Sequence, residues 1–70
     1  MKKLVYKYKD GMYHYEFGDS IMRTNDLADA NDYSMYAYPD QVAPKDGGRL
    51  VWAHSAGWTE GVEWTAPNGS

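Results

Sequence analysis

The chain has 70 residues, no cysteine, eleven aromatic residues (seven Tyr, three Trp and one Phe) and a formal net charge of −3. The missing cysteines exclude a disulfide framework and a thiolate metal site, and two histidines, His14 and His54, are too few for a structural zinc. No window approaches the roughly 20 apolar residues of a membrane span, and a chain this short buries only about 60% of the surface its unfolded form exposes. Packing of aromatic rings, or formation of a homodimer, therefore has to supply its stability.

Charge is unevenly spread. Four lysines fall within residues 1–9, and only Arg23, Lys45 and Arg49 follow; residues 10–40 hold seven carboxylates against Arg23 alone. A nucleic-acid partner calls for a basic stripe, so this balance counts against a phosphate backbone and favours another protein with a basic surface. The opening Met1-Lys2-Lys3-Leu4-Val5 resembles the start of a secretory leader. Tyr6-Lys7-Tyr8-Lys9-Asp10 follows at once and leaves no apolar segment. A cytoplasmic location, with no membrane association, is the expectation.

The first element is a hairpin. Leu4–Tyr8 and Met12–Phe17 flank Asp10-Gly11, and a two-residue type I′ turn there places Lys9 opposite Met12. Strand alternation then gathers Leu4, Tyr6, Tyr8, Tyr13, Tyr15 and Phe17 on one face. The opposite face carries Val5, Lys7, Lys9, Met12, His14 and Glu16, which leaves His14 solvated. Gly18-Asp19 ends the second arm, and Ser20–Thr24 reads as a short third strand, with a helical alternative capped by Asp19 or Ser20.

A helix is expected from about Asp26 to about Tyr36. Thr24 or Asn25 would cap it, and Leu27, Ala30, Ser34 and Ala37 would form a small-residue face against the sheet. Pro39 would stop it. Asp40 to Gly48 reads as loop and Arg49–His54 as a strand. Ser55-Ala56-Gly57 reads as a turn, and Trp58–Thr65 as a last strand or as a strand interrupted at Gly61, with Trp58, Glu60, Val62 and Trp64 on one face. The expected fold is α+β: a mainly antiparallel sheet of four to five strands with one helix packed on one face. Residues 1–66 would form a single domain and 67–70 a flexible C-terminal tail.

No catalytic, cofactor-binding or metal site is legible. Asp29-x-Asn31 begins like a calcium loop, but Tyr33 and Ser34 stand where a ligand and a glycine are required. His54-Ser55 does not put a base on a nucleophile, since strand neighbours point apart, and Asp46-Gly47-Gly48 lacks the frame of a phosphate loop. The expected function is that of a small non-enzymatic protein-binding module. Its surface would combine the carboxylates Asp26, Asp29 and Asp32 with the aromatics Tyr36, Tyr38 and Trp58, since tyrosine and tryptophan dominate interface hot spots. Two alternatives remain. One is single-stranded nucleic acid stacked on the tyrosine face, with Lys2, Lys3, Lys7 and Lys9 along the phosphates; the other is a carbohydrate platform of Trp52, Trp58 and Trp64. In style the chain is similar to phage-encoded inhibitors of host machinery, anti-CRISPR proteins included: small, acidic, cysteine-free and aromatic-rich. No motif ties it to a family.

Overall fold

A computed structural model describes residues 1–66; the tail expected over 67–70 lies outside the described residues. Five strands form one antiparallel sheet in the order β3-β2-β1-β4-β5: β1 (Lys2–Lys7), β2 (Tyr13–Phe17), β3 (Ser20–Thr24), β4 (Arg49–His54) and β5 (Thr59–Glu63). Helix is limited, among the described residues, to the four-residue α1 (Pro39–Val42). The fold is thus a small antiparallel sheet with one short helical piece. Ser20–Thr24 is a strand, paired with β2 along its full length across a Gly18-Asp19 turn. Gly18 has φ +60°, the conformation that a type II′ hairpin turn requires at its first central position.

The first hairpin closes differently from the expectation. Gly11 N donates to Tyr8 O (3.0 Å) and Tyr8 N to Met12 O (2.7 Å), while Gly11 takes φ +91°. These mark a three-residue loop, Lys9-Asp10-Gly11, in which a turn ends in a left-handed glycine that forms a bulge. The Asp10 carboxylate fixes the loop by accepting the Met12 amide at 2.8 Å. The pair that results is Lys7↔Tyr13, one residue away from the expected register. Because side chains alternate with a period of two, a one-residue slip moves a whole strand to the other face. Leu4, Tyr6 and Tyr8 therefore cluster with Leu50, Tyr33 and Ala43, whereas Tyr13 joins Val5, Val51, Ala53, Leu27 and Ala30. His14, expected in solvent, is 3% exposed beneath Tyr8.

The helix expected over Asp26–Tyr36 is absent. Thr24 Oγ1 accepts the Asp26 amide, Asp26 Oδ1 the Ala28 amide, and Asp32 Oδ1 the Ser34 amide, each at 2.8–3.0 Å. Short polar side chains that bond the amide two residues on offer the backbone an alternative to the helical ladder. Leu27 and Ala30 are buried as expected, but Ser34 and Ala37 are exposed. Pro39, expected to stop a helix, instead stands at the first position of α1, where its missing N–H costs nothing.

What residues 31–33 do instead organises the sheet. Beyond Lys7↔Tyr13, β1 and β2 diverge, and both inner edges would be left with unpaired backbone groups. The segment fills the cleft. On the β2 side Asn31 N donates to His14 O (3.0 Å), and Glu16 N donates to Asn31 Oδ1 (2.8 Å). On the β1 side Leu4 N donates to Asp32 Oδ1 (3.0 Å), and Tyr33 N donates to Leu4 O (2.7 Å). The chain so passes from one face of the sheet to the other: Leu27 and Ala30 cover Val5 and Val51, and Tyr33 and Ala43 cover Leu4, Tyr6 and Leu50. The crossing segment then returns to the sheet at Gly48, which runs so close under the Lys7 carbonyl and the Tyr6 ring that a β-carbon has no room. The Tyr6 hydroxyl accepts the Asp46 and Gly48 amides there (3.0 and 2.7 Å).

The last hairpin carries a register shift between Val51↔Glu63 and Ala53↔Glu60, a bulge near Gly61. It overturns the expected common face of Trp58 and Trp64. Trp64 packs against the Leu4–Tyr6–Leu50 cluster, and Trp58 against the Val5–Val51 cluster.

The cleft makes a stability prediction. Asp32→Ala strands the Leu4 and Ser34 amides and should cost about 2–3 kcal/mol, whereas Asp32→Asn keeps an acceptor oxygen and should cost about 1 kcal/mol. Urea denaturation of the two variants checks this ordering, and equal losses would contradict the role assigned to the Asp32 oxygen.

Candidate functional site

The six residues expected to form one binding surface are divided between the two sides of the sheet. Asp26, Asp29 and Asp32 do converge, but on Lys3. Lys3 Nζ donates to Ala28 O (3.0 Å) and Ala30 O (2.7 Å) and lies 4.6 Å over the Trp58 ring. Burial lowers the pKa of Lys3, and the charges of Asp32, Asp29 and Asp26 oppose that shift. Asp32 is committed to the cleft. Burial pushes its carboxyl up, yet hydrogen bonds from Ser34 and Leu4 and the charge of Lys3 outweigh this and hold it below its ordinary value. Asp26 and Asp29 remain exposed beside Trp58, which is half-buried under Lys3. Tyr36 and Tyr38 belong to the other face, where Tyr36 packs on Tyr33 (ring centres 6.1 Å apart) and Tyr38 precedes α1.

On that second face a groove of about 280 Å³ lies between the β2–β3 hairpin and the crossing segment. Tyr8, His14 and Tyr33 form its floor, and Ile21, Val42 and Glu16 its walls. Ile21 and Val42 are 72% and 50% exposed, and Tyr36 and Tyr38 46% and 64%. Ile21 stands on this face because it pairs with Glu16 across the β2–β3 ladder. Sequence patterning missed the groove: it depends on the hairpin register and on a segment that is not helical.

A hydrogen-bonded chain lies in the floor. His14 Nε2 and Glu16 Oε2 are 2.7 Å apart, as are His14 Nδ1 and Tyr8 Oη. A carboxylate only accepts, so His14 Nε2 donates to Glu16, while Nδ1 and the Tyr8 hydroxyl share the second hydrogen bond. Arg23 covers the Tyr8 ring at 3.9 Å and is itself held by Asp10 (2.7 Å) and Asp46 (3.1 Å). Both imidazole nitrogens are thus engaged within the chain. The arrangement fixes the groove floor. Among the described residues no group of three His, Cys, Asp or Glu is placed to hold a metal ion, and no helix is long and apolar enough to cross a membrane.

The surfaces imagined for nucleic acid and sugar are not assembled. Tyr6, Tyr8 and Tyr13 are buried and lie on two faces. Lys2 and Lys3 sit over Trp52 and Trp58 (4.6 Å each), and Lys7 pairs with Glu60 at 2.8 Å. Trp52 and Trp64 pack on the face opposite Trp58. Comparison with known protein families, with curated proteins and with solved structures returned no match.

Two buried tyrosines give this geometry a pH signature. Burial, with a hydrogen bond to Glu60, pushes Tyr13 up to about 12. Burial and the charge of Glu16 do the same for Tyr33, also to about 12. A raised phenol pKa means that the stabilisation is complete below the ordinary value of about 10 and is lost as pH rises toward 12. Absorbance titration at 295 nm should therefore show late-titrating tyrosines, Tyr8 raised by burial as well, with the Tyr13 and Tyr33 contributions removed one at a time by Tyr13→Phe and Tyr33→Phe. Glu60 acts at the acid end. Its hydrogen bond from Lys7, more than the opposing burial, holds it below 4.5, so its contribution is present above that pH and fades as pH falls through the lowered value.

Proposed function

We propose that the chain is a small non-enzymatic protein-binding module that acts in the cytoplasm. It inhibits a host defence or nucleic-acid-processing protein, in the manner of the phage-encoded inhibitors to which it is similar in style. The observation that carries this reading is the pair of exposed apolar side chains Ile21 and Val42 that wall one groove with the Glu16 carboxylate on its rim, next to the exposed Tyr36, which packs on Tyr33 of the groove floor, and Tyr38, which precedes α1. Contiguous apolar surface of this kind marks interaction sites, and tyrosine anchors dominate binding energy where they are desolvated. Glu16, with 47% of its side chain exposed, and the net charge of −3 select the partner's chemistry: an apolar side chain seated between Ile21 and Val42, with a lysine or arginine beside it. The charge difference acts mainly on association rate and on the choice of partner. Asp26 and Asp29, on the far side of the sheet, contribute to the overall field and not to the contact.

The test is capture of a partner from nuclease-treated bacterial lysate, followed by binding measurements with the purified pair. Tyr38→Ala and Val42→Asp should each weaken binding by about 2 kcal/mol, roughly thirtyfold in Kd, with the fold intact. The double variant Asp26→Lys/Asp29→Lys should change affinity by less than about threefold, mostly through a salt-dependent association rate. The reverse ranking would place the contact on the Trp58 face.

A further inference from the structure

We propose that the free edge of β3 pairs with β3 of a second copy of this chain, antiparallel and centred on Met22, to make a ten-stranded sheet. β3 is one of the two edges of the sheet. The other, β5, is interrupted by the Gly61 bulge and carries Glu60 and Glu63, devices that discourage edge pairing. β3 has neither proline nor bulge, and it exposes Ile21 and Met22. Its one charged residue, Arg23, is turned onto Asp10, Asp46 and the Tyr8 ring of its own chain.

The register follows from the direction of the backbone groups. His14 and Glu16 turn theirs inward to Asn31, so Tyr13, Tyr15 and Phe17 carry the ladder to Thr24, Met22 and Ser20. The N–H and C=O groups of Ile21 and Arg23 consequently face outward. Two copies related by a two-fold axis through Met22 place Ile21 of each opposite Arg23 of the other, and those four residues exchange all their outward hydrogen bonds. Met22 then meets Met22 as the close, non-hydrogen-bonded pair, Ser20 faces Thr24, and Ile21 packs on the aliphatic stem of Arg23. The two arginines approach with their charges already neutralised by Asp10 and Asp46. A strand that is its own complement at every position selects a second copy over an unrelated peptide. The closed symmetry also ends assembly at two chains.

The chain has no cysteine, so single-cysteine variants report the register directly. Opposite residues of a non-hydrogen-bonded pair have Cα atoms about 4.5 Å apart, within the range a disulfide spans. Under mild oxidation Met22→Cys should cross-link about tenfold faster than Ile21→Cys, whose copies would stand more than roughly 7 Å apart. Sedimentation of the unmodified chain should show the mass rising toward twice 8.0 kDa with concentration. Ile21→Pro, which removes only an outward N–H, should stay at the single-chain mass with its circular dichroism unchanged. A single-chain mass up to about 1 mM, or equal cross-linking of the two cysteine variants, overturns the proposal.

Discussion

The backbone of β1 must find hydrogen bonds on two sides, and β2 runs beside it only around the single register pair Lys7↔Tyr13. On its other side β1 pairs with β4 along its whole length, Lys2↔His54 to Lys7↔Arg49. The open inner edge is what the remainder of the chain is arranged around. Asn31, Asp32 and Tyr33 enter the cleft, satisfy Leu4 on one side and His14 and Glu16 on the other, and carry the chain through to the far face. Buried main-chain groups left unpaired cost about 1–3 kcal/mol each, a large part of the stability available to 70 residues. This one crossing also explains how a chain with almost no helix covers both sides of a sheet: Leu27 and Ala30 serve one side, Tyr33 and Ala43 the other.

The strands were legible in the sequence, and their relation to one another was not. Ser20–Thr24 and Arg49–His54 emerge from alternation and turn residues, and the glycine at 61 leaves open whether the last strand is continuous, which the register shift decides. Asp10-Gly11 was misread for a physical reason. The dipeptide suits both a two-residue turn and a three-residue loop with a bulged glycine, and the two differ by one residue of register. That single residue decides whether His14 or Tyr13 shares a face with Tyr8, and so whether the groove has a floor. The region after Asn25 was misread because apolar spacing was weighed and side-chain competition was not. Asp26 and Asp32 bond local amides, and the rewards for doing so, the packing of Leu27 and Tyr33, are tertiary.

The same misreadings explain the fate of the candidate site. The expected surface sets the carboxylates Asp26, Asp29 and Asp32 on a helix and combines them with the aromatics Tyr36, Tyr38 and Trp58. The crossing through the sheet separates them, leaving the acids gathered on Lys3, Tyr36 packed on Tyr33 and Tyr38 ahead of α1. Asp32 proves to be a structural acceptor. Ile21 and Val42, neither conspicuous in the sequence, become the groove walls because one lies opposite Glu16 and the other ends α1.

The cleft-filling role of residues 31–33 is most directly tested by native-state hydrogen exchange followed by NMR. If these residues are integral to the sheet, the amides of Leu4, Asn31 and Tyr33 should exchange only with global unfolding, at the rate of the β1–β4 amides. Exchange of Asn31 and Tyr33 at the rate of exposed loop amides, with β4 still protected, would contradict the account.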